Sequence, residues 1–241
     1  MARINKRFVE YVANKLSSFS YAKFVSPKAA QFILTVDPSK VVYYIPTERY
    51  VKHELYCYGL VVKNTNDIVS AWSFEKMHPT IMDMFVNNID YKKTEQYLTM
   101  MAGVENYLSN KGLNPKKLGC YWCRSKEDVD KYFLNLYQAY SSIKNQGYKT
   151  QIELSESAMS GKFKKGDELK FVISGNGDLV FLGSGANHRF SIVKQLGLTS
   201  VKGVLAGVDK QWLKKSMSSK NMGRRGIVDV LINIEGITHI D

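Results

Sequence analysis

The sequence predicts an α+β protein: a largely helical N-terminal part with a few strands, followed by a part built from short strands. Three observations carry this. Apolar and aromatic residues recur at three- and four-residue spacing over two stretches, Tyr97 to Leu108 and Val129 to Ile143, the period of an α-helix. Beyond Gly147 that period gives way to alternation, and Gly175-Asn176-Gly177-Asp178 reads as a hairpin turn between two strands. The chain has 241 residues, 44% hydrophobic and 12% aromatic, enough for a core in one large domain or two small ones.

Taken in order, Lys6 to Ser17 reads as a first helix, basic but with Phe8, Val12 and Leu16 on one side. It lacks the apolar stretch and small-residue cleavage site of a secretory signal. No apolar run approaches the roughly 20 residues of a membrane span, so a cytoplasmic location is expected. Asp37-Pro38 turns the chain into a strand at Val41 to Ile45, which Pro46 stops. Leu55 to Val62 is a second strand. His78-Pro79, in the Met-rich segment Met77 to Phe85, predicts a kinked, buried helix.

In the first periodic stretch Tyr97, Met100, Met101, Val104, Tyr107 and Leu108 form a core face, with Asp90 as N-cap and Gly112 as stop. In the second, Val129, Tyr132, Phe133, Leu136, Tyr137, Tyr140 and Ile143 do the same. Ser125 with Asp128 resembles a capping box, and Gly147 ends the helix. Glu168 to Ser174 and Leu179 to Leu182 are the hairpin strands. A helix from His188 to Leu196 follows, with Gly197 past its end. Val201 to Val208 is another strand, and Asp209 caps a helix through Trp212 and Leu213. Ile227 to Ile234 reads equally as strand or helix. The expected organisation is a mainly helical region 1–149, a nucleotide-binding module 150–215 and a basic C-terminal segment 216–241.

The net charge is +12, spread along the chain: residues 1–150 carry 21 basic and 13 acidic groups, residues 151–241 carry 13 and 9. Such a surface suits nucleic acid, an anionic glycan, a nucleotide or a membrane surface, or is simply solvated lysine. Three cysteines are too few for a disulfide framework. Cys120-Tyr121-Trp122-Cys123, with His53 and Cys57, has the residue types of a four-ligand zinc site, but a single CxxC reads first as core packing.

The densest functional signal is Gly183-Ser184-Gly185-Ala186-Asn187-His188-Arg189, between a predicted strand and a predicted helix. Glycines there permit a sharp turn and close ligand approach. The free N–H groups of a helix start favour an anion, and His188 and Arg189 are suited to phosphate. A Walker A loop ends in Gly-Lys-Ser/Thr, which is absent here. A dinucleotide fingerprint needs a third glycine where His188 stands, and no acidic residue follows about 20 positions on at a strand end.

The run "DLVFLGSGANHRFSIVKQLGLTSVKGVLAGV", Asp178 to Val208, resembles the ParB/sulfiredoxin superfamily: strand, glycine-rich turn, His-Arg at a helix start, Leu-Gly at its end, then a strand. The resemblance spans roughly Ile152 to Leu213. It implies a mixed-sheet module in which Gly183 to Arg189 hold the phosphates of ATP or another nucleotide with Mg²⁺. Upstream, "VDPSKVVYYIP", "DYKKTEQY" and "AYSSIKNQGYKTQ" are similar to ParB-like proteins of surface-glycan gene clusters. Sulfiredoxins carry a cysteine where Asn187 stands, so their chemistry is not expected. Kinase members resemble Asp-Gly-x-His-Arg, and Gly185-Ala186 replaces the acidic pair. Their catalytic acid lies near the start of the module, which points to Glu156 or Glu153 as general base.

The function expected from this resemblance is phosphotransfer to a hydroxyl of a glycan or small molecule. Arg189 would stabilise charge on the moving group and His188 would polarise a phosphate oxygen. One alternative is a ParB-type nucleic-acid-binding protein or nuclease. The 33 residues after Val208 fall short of a helix-turn-helix domain, although Lys214, Lys215, Lys220, Arg224 and Arg225 can contact phosphates. Another is nucleotide binding without catalysis, the acidic residue having been lost from the loop.

Overall fold

A computed structural model describes residues 32–46, 60–62, 65–73, 78–110, 114–150, 153–154, 168–183, 186–216 and 229–240. The expected helix at Lys6 to Ser17, His53, Cys57, Glu156, and the basic residues Lys220, Arg224 and Arg225 lie outside them. The fold is mixed α+β, and its mixed sheet has eight strands. These are β1 (Ile33–Val36), β2 (Tyr43–Ile45), β3 (Leu60–Val62), β4 (Ser70–Ala71), β5 (Lys170–Ile173), β6 (Leu179–Leu182), β7 (Val201–Asp209) and β8 (Ile237–Ile240).

The chain forms two compact units. The first comprises residues 1–72, 149–186 and 199–241, and holds every strand. The chain passes from the second unit to the first between Tyr148 and Lys149, where a boundary is expected, but the first unit is discontinuous: strands from before and after that point share one sheet. The order is β4-β2-β6-β5-β7-β1-β8, with β3 also on β7. β2 runs parallel to β6, and β5 and β3 run parallel to β7. β5 and β6 form the expected antiparallel hairpin, closed by Ser174 N–H to Asp178 O at 3.0 Å and Gly177 N–H to Ser174 O at 3.0 Å.

The near-continuous apolar run of β6 is buried throughout, as a strand paired on both edges requires. Val172, Val180, Leu182, Ile45 and Ala206 form one core cluster, with Tyr43 against it. Gly203 lies beneath the Phe171 ring, and a Cβ there would overlap it. β8, which pairs with β1, falls in what the sequence suggested was a basic tail. At the end of β7 buried Asp209 accepts from Thr65 N–H at 3.1 Å and Thr65 Oγ1 at 3.0 Å through one oxygen. Its other oxygen accepts from Gln211 N–H and Trp212 N–H, capping α5 (Lys210–Ser216) as expected.

The second unit comprises residues 73–148 and 187–198 and is helical: α1 (Pro79–Phe85), α2 (Glu95–Ser109), α3 (Lys126–Gln146) and α4 (Asn187–Gln195). Half of the capping box at α3 forms, with Ser125 Oγ accepting Asp128 N–H at 3.2 Å. The Asp128 carboxylate reaches back to Arg124 N–H at 2.9 Å. Asp90 caps a 3₁₀ turn at Tyr91–Lys93, and Thr94 caps α2. Pro79 occupies the first position of α1, with His78 as its N-cap residue. The expected kink is absent because a proline there costs no helical hydrogen bond.

Tyr97, Met100 and Val104 of α2 are buried with Val129, Phe133, Leu136 and Ile143 of α3. Tyr91 and Tyr97 pack on Phe133, and both hydroxyls donate to Asp130 Oδ1. Leu108 is exposed, because the α2 stripe outruns the face it packs on.

Candidate functional site

After β6 the chain leaves the sheet unit at Ala186 and contributes residues 187–198 to the helical unit. α4 begins at Asn187, two residues before Arg189. It ends as the sequence predicts, with Gly197 at φ +65°. Leu198 N–H bonds Val193 O at 3.1 Å and Gly197 N–H bonds Lys194 O at 3.1 Å, the paired bonds of a Schellman stop. The opposite end leaves backbone N–H groups without intrahelical acceptors and carries partial positive charge.

Arg189 stands in this first turn. The residue is half-buried, but its Nη1 and Nη2 are sealed from solvent and find no hydrogen-bond partner among the described residues. A permanently charged guanidinium kept from water without an anion is costly by several kcal/mol. Asn187 Oδ1 and the hydroxyl of fully buried Ser191 are likewise buried without partners. With Gln195, whose Oε1 is also unpartnered, they recur at four-residue spacing along α4. The reading in which Arg189 merely ties down backbone carbonyls finds no such bond at either Nη atom.

His188 is placed differently. Its Nε2 lies 2.7 Å from the Tyr132 hydroxyl, which accepts from Gln96 Nε2 at 2.9 Å. The phenol hydrogen must go to an acceptor, and of its two partners only the imidazole nitrogen is one. Tyr132 therefore donates to Nε2, which fixes the ring as the Nδ1–H form. Burial pushes the Tyr132 phenol up, keeping it a donor. His78 stacks on His188 with ring centroids 4.1 Å apart and an interplanar angle of 29°.

Burial pushes His188 down to about 4. Burial, then the neighbouring His188, pushes His78 down to about 3. Both rings are neutral at pH 7, so His188 offers a hydrogen-bond donor and Arg189 supplies the charge.

The other expected site residues fall as follows. The Gly183 N–H is engaged by Ile45 O at 3.0 Å within the sheet unit, so that amide is not open to a phosphate. Ala186 is buried, and Ser184 and Gly185 lie outside the described residues. Glu153 is exposed on a short helical turn, where its Oε2 accepts from Thr150 N–H at 2.8 Å and Thr150 Oγ1 at 3.1 Å. Thr150 Oγ1 accepts Glu153 N–H at 3.1 Å. That is a reciprocal capping box, which gives Glu153 a structural task. Lys214 and Lys215 are exposed on α5.

The sequence did not bring Tyr132, Gln96 or His78 to His188. Tyr132 belonged to a core stripe, and only a polar tip on that stripe hinted at a partner. Cys120 and Cys123 are buried free thiols, as core packing predicts. Burial, followed by Asp128, pushes the Cys123 thiol up, away from nucleophilic character. Among the described residues no cluster of histidine, cysteine and carboxylate side chains suits a metal ion, and no helix is long and apolar enough to cross a membrane.

No family model, curated protein or solved structure matches the chain.

Proposed function

We propose that the chain binds the phosphates of a nucleotide at the start of α4, and that the strand–turn–helix–strand run Asp178 to Val208 belongs to a ParB/sulfiredoxin-like module. The observation that carries this reading is Arg189, whose buried Nη atoms lack a partner among the described residues and call for an external anion. The helix start adds N–H donors and positive potential. His188, fixed by Tyr132, supplies an uncharged Nδ1–H donor.

The reaction that fits is phosphoryl transfer from ATP or a related nucleotide to a hydroxyl of a glycan or small molecule. ATP with Mg²⁺ supplies the activated phosphoryl group. Arg189 offsets charge on it, and Glu156 accepts the hydroxyl proton. Glu153 is the weaker base because its carboxylate already holds Thr150.

That same capping box favours a second reading, nucleotide binding without turnover. ATP consumption in the presence of hydroxyl acceptors separates the two. The first reading predicts consumption that Glu156→Gln abolishes while ATP binding persists. Binding with no consumption for any acceptor supports the second, and failure to bind any nucleotide defeats both.

A further inference from the structure

We propose that Tyr121 and Trp122 form the stacking platform for the base of the nucleotide whose phosphates sit at α4; the inference rests on that phosphate-site reading. The platform is the turn between the two buried cysteines. Cys123 N–H bonds Cys120 O at 2.8 Å, and Tyr121 and Trp122 both hold left-handed backbone, at φ +47° and +75°. Such a turn is the province of glycine and asparagine. Two large aromatics in it are a local conflict of the kind that gathers at functional sites.

The root of the turn is rigid. Cys120 and Cys123 are buried, Cys120 Sγ contacts Pro115 O at 3.0 Å, and Gly103 of α2 lies against Leu118 O and Cys120. The tip is the reverse, with Tyr121 57% and Trp122 59% exposed. Hydrophobic burial does not explain two rings held outward at a backbone cost.

The tip is continuous with the anion site. Tyr121 stacks on Tyr132, with centroids 6.0 Å apart at 28°, and the Tyr132 hydroxyl holds His188. A chain of ring contacts thus runs within one unit from the exposed turn through Tyr132 to His188 in the first turn of α4. Flat, rigid, exposed aromatics stack on bases with little loss of side-chain freedom, whichever base is offered. The platform therefore gives affinity for a nucleotide over bare polyphosphate, with weak discrimination among bases.

The test is calorimetric titration of the full chain with ATP·Mg²⁺ and with tripolyphosphate·Mg²⁺, on wild type, Trp122→Ala and Trp122→Gly. Both variants are expected to bind ATP roughly tenfold more weakly and tripolyphosphate unchanged. Glycine also removes the backbone strain, so Trp122→Gly is expected to melt no lower than wild type, which separates lost stacking from lost folding. ATP affinity unchanged in both variants overturns the platform alone. So does an equal loss for ATP and tripolyphosphate. If neither ligand binds wild type, the phosphate site fails and the platform with it.

Discussion

Two neighbouring residues in one helical turn carry different physics. The Nη atoms of charged Arg189 find no partner among the described residues, whereas His188 is held neutral by burial and tied to Tyr132. The neutral state has a measurable consequence. The unfolded imidazoles titrate near their ordinary value, about 6.5, while His188 and His78 in the folded chain titrate at about 4 and about 3. Below the unfolded value the unfolded chain binds more protons, so stability is lost as pH falls from about 6.5 toward 4. Each ring contributes a slope approaching about 1.4 kcal/mol per pH unit. Denaturant unfolding across that window is expected to show a shallower slope in His78→Phe than in wild type. Equal slopes would mean that His78 is solvated and titrates normally.

Elements were the most legible scale, and the reasons lie in particular residues. The α3 stripe, Ser125 and Gly197 each encode structure locally, and each forms as the sequence implies. Pro79 does not kink its helix, because the proline penalty vanishes at a first helical position. β8 leaves no local pattern in the sequence, because its partner β1 lies 203 residues away at Thr35–Thr238. At the site, Gly183 to Arg189 stood out from residue types alone. The Tyr132–His188 bond did not, since 56 positions separate its ends.

Glutamine can replace glutamate in a capping box, so Glu153→Gln is expected to melt with wild type, whereas Glu153→Ala loses a few tenths to about 1 kcal/mol. Thermal unfolding of the two variants decides it. A Glu153→Gln variant that abolished turnover without lowering stability would restore Glu153 as the general base.

For the whole chain, strand pairing overrides sequence order. Residues 150–215 look like a module when read along the chain. Yet β6 needs β2 on its outer edge, and β7 is flanked by β1 and β3 from the N-terminal region. An isolated 150–215 fragment would expose those edges and the apolar faces of β6 and β7, and is expected to be unfolded by circular dichroism and amide exchange. A cooperatively folded fragment would contradict the interleaved sheet.

If Arg189 waits for an external anion, thermal stability in rising ATP·Mg²⁺ separates wild type from Arg189→Met. A ligand that binds only the folded chain stabilises it by RT ln(1 + [L]/Kd), about 2.7 kcal/mol at a hundredfold excess over Kd. Without ligand, Arg189→Met is expected to be as stable as wild type or more so, because methionine removes a buried unpaired charge. With ATP, only wild type should gain stability. A variant that is much less stable without ligand, or that responds to ATP as wild type does, would contradict the account.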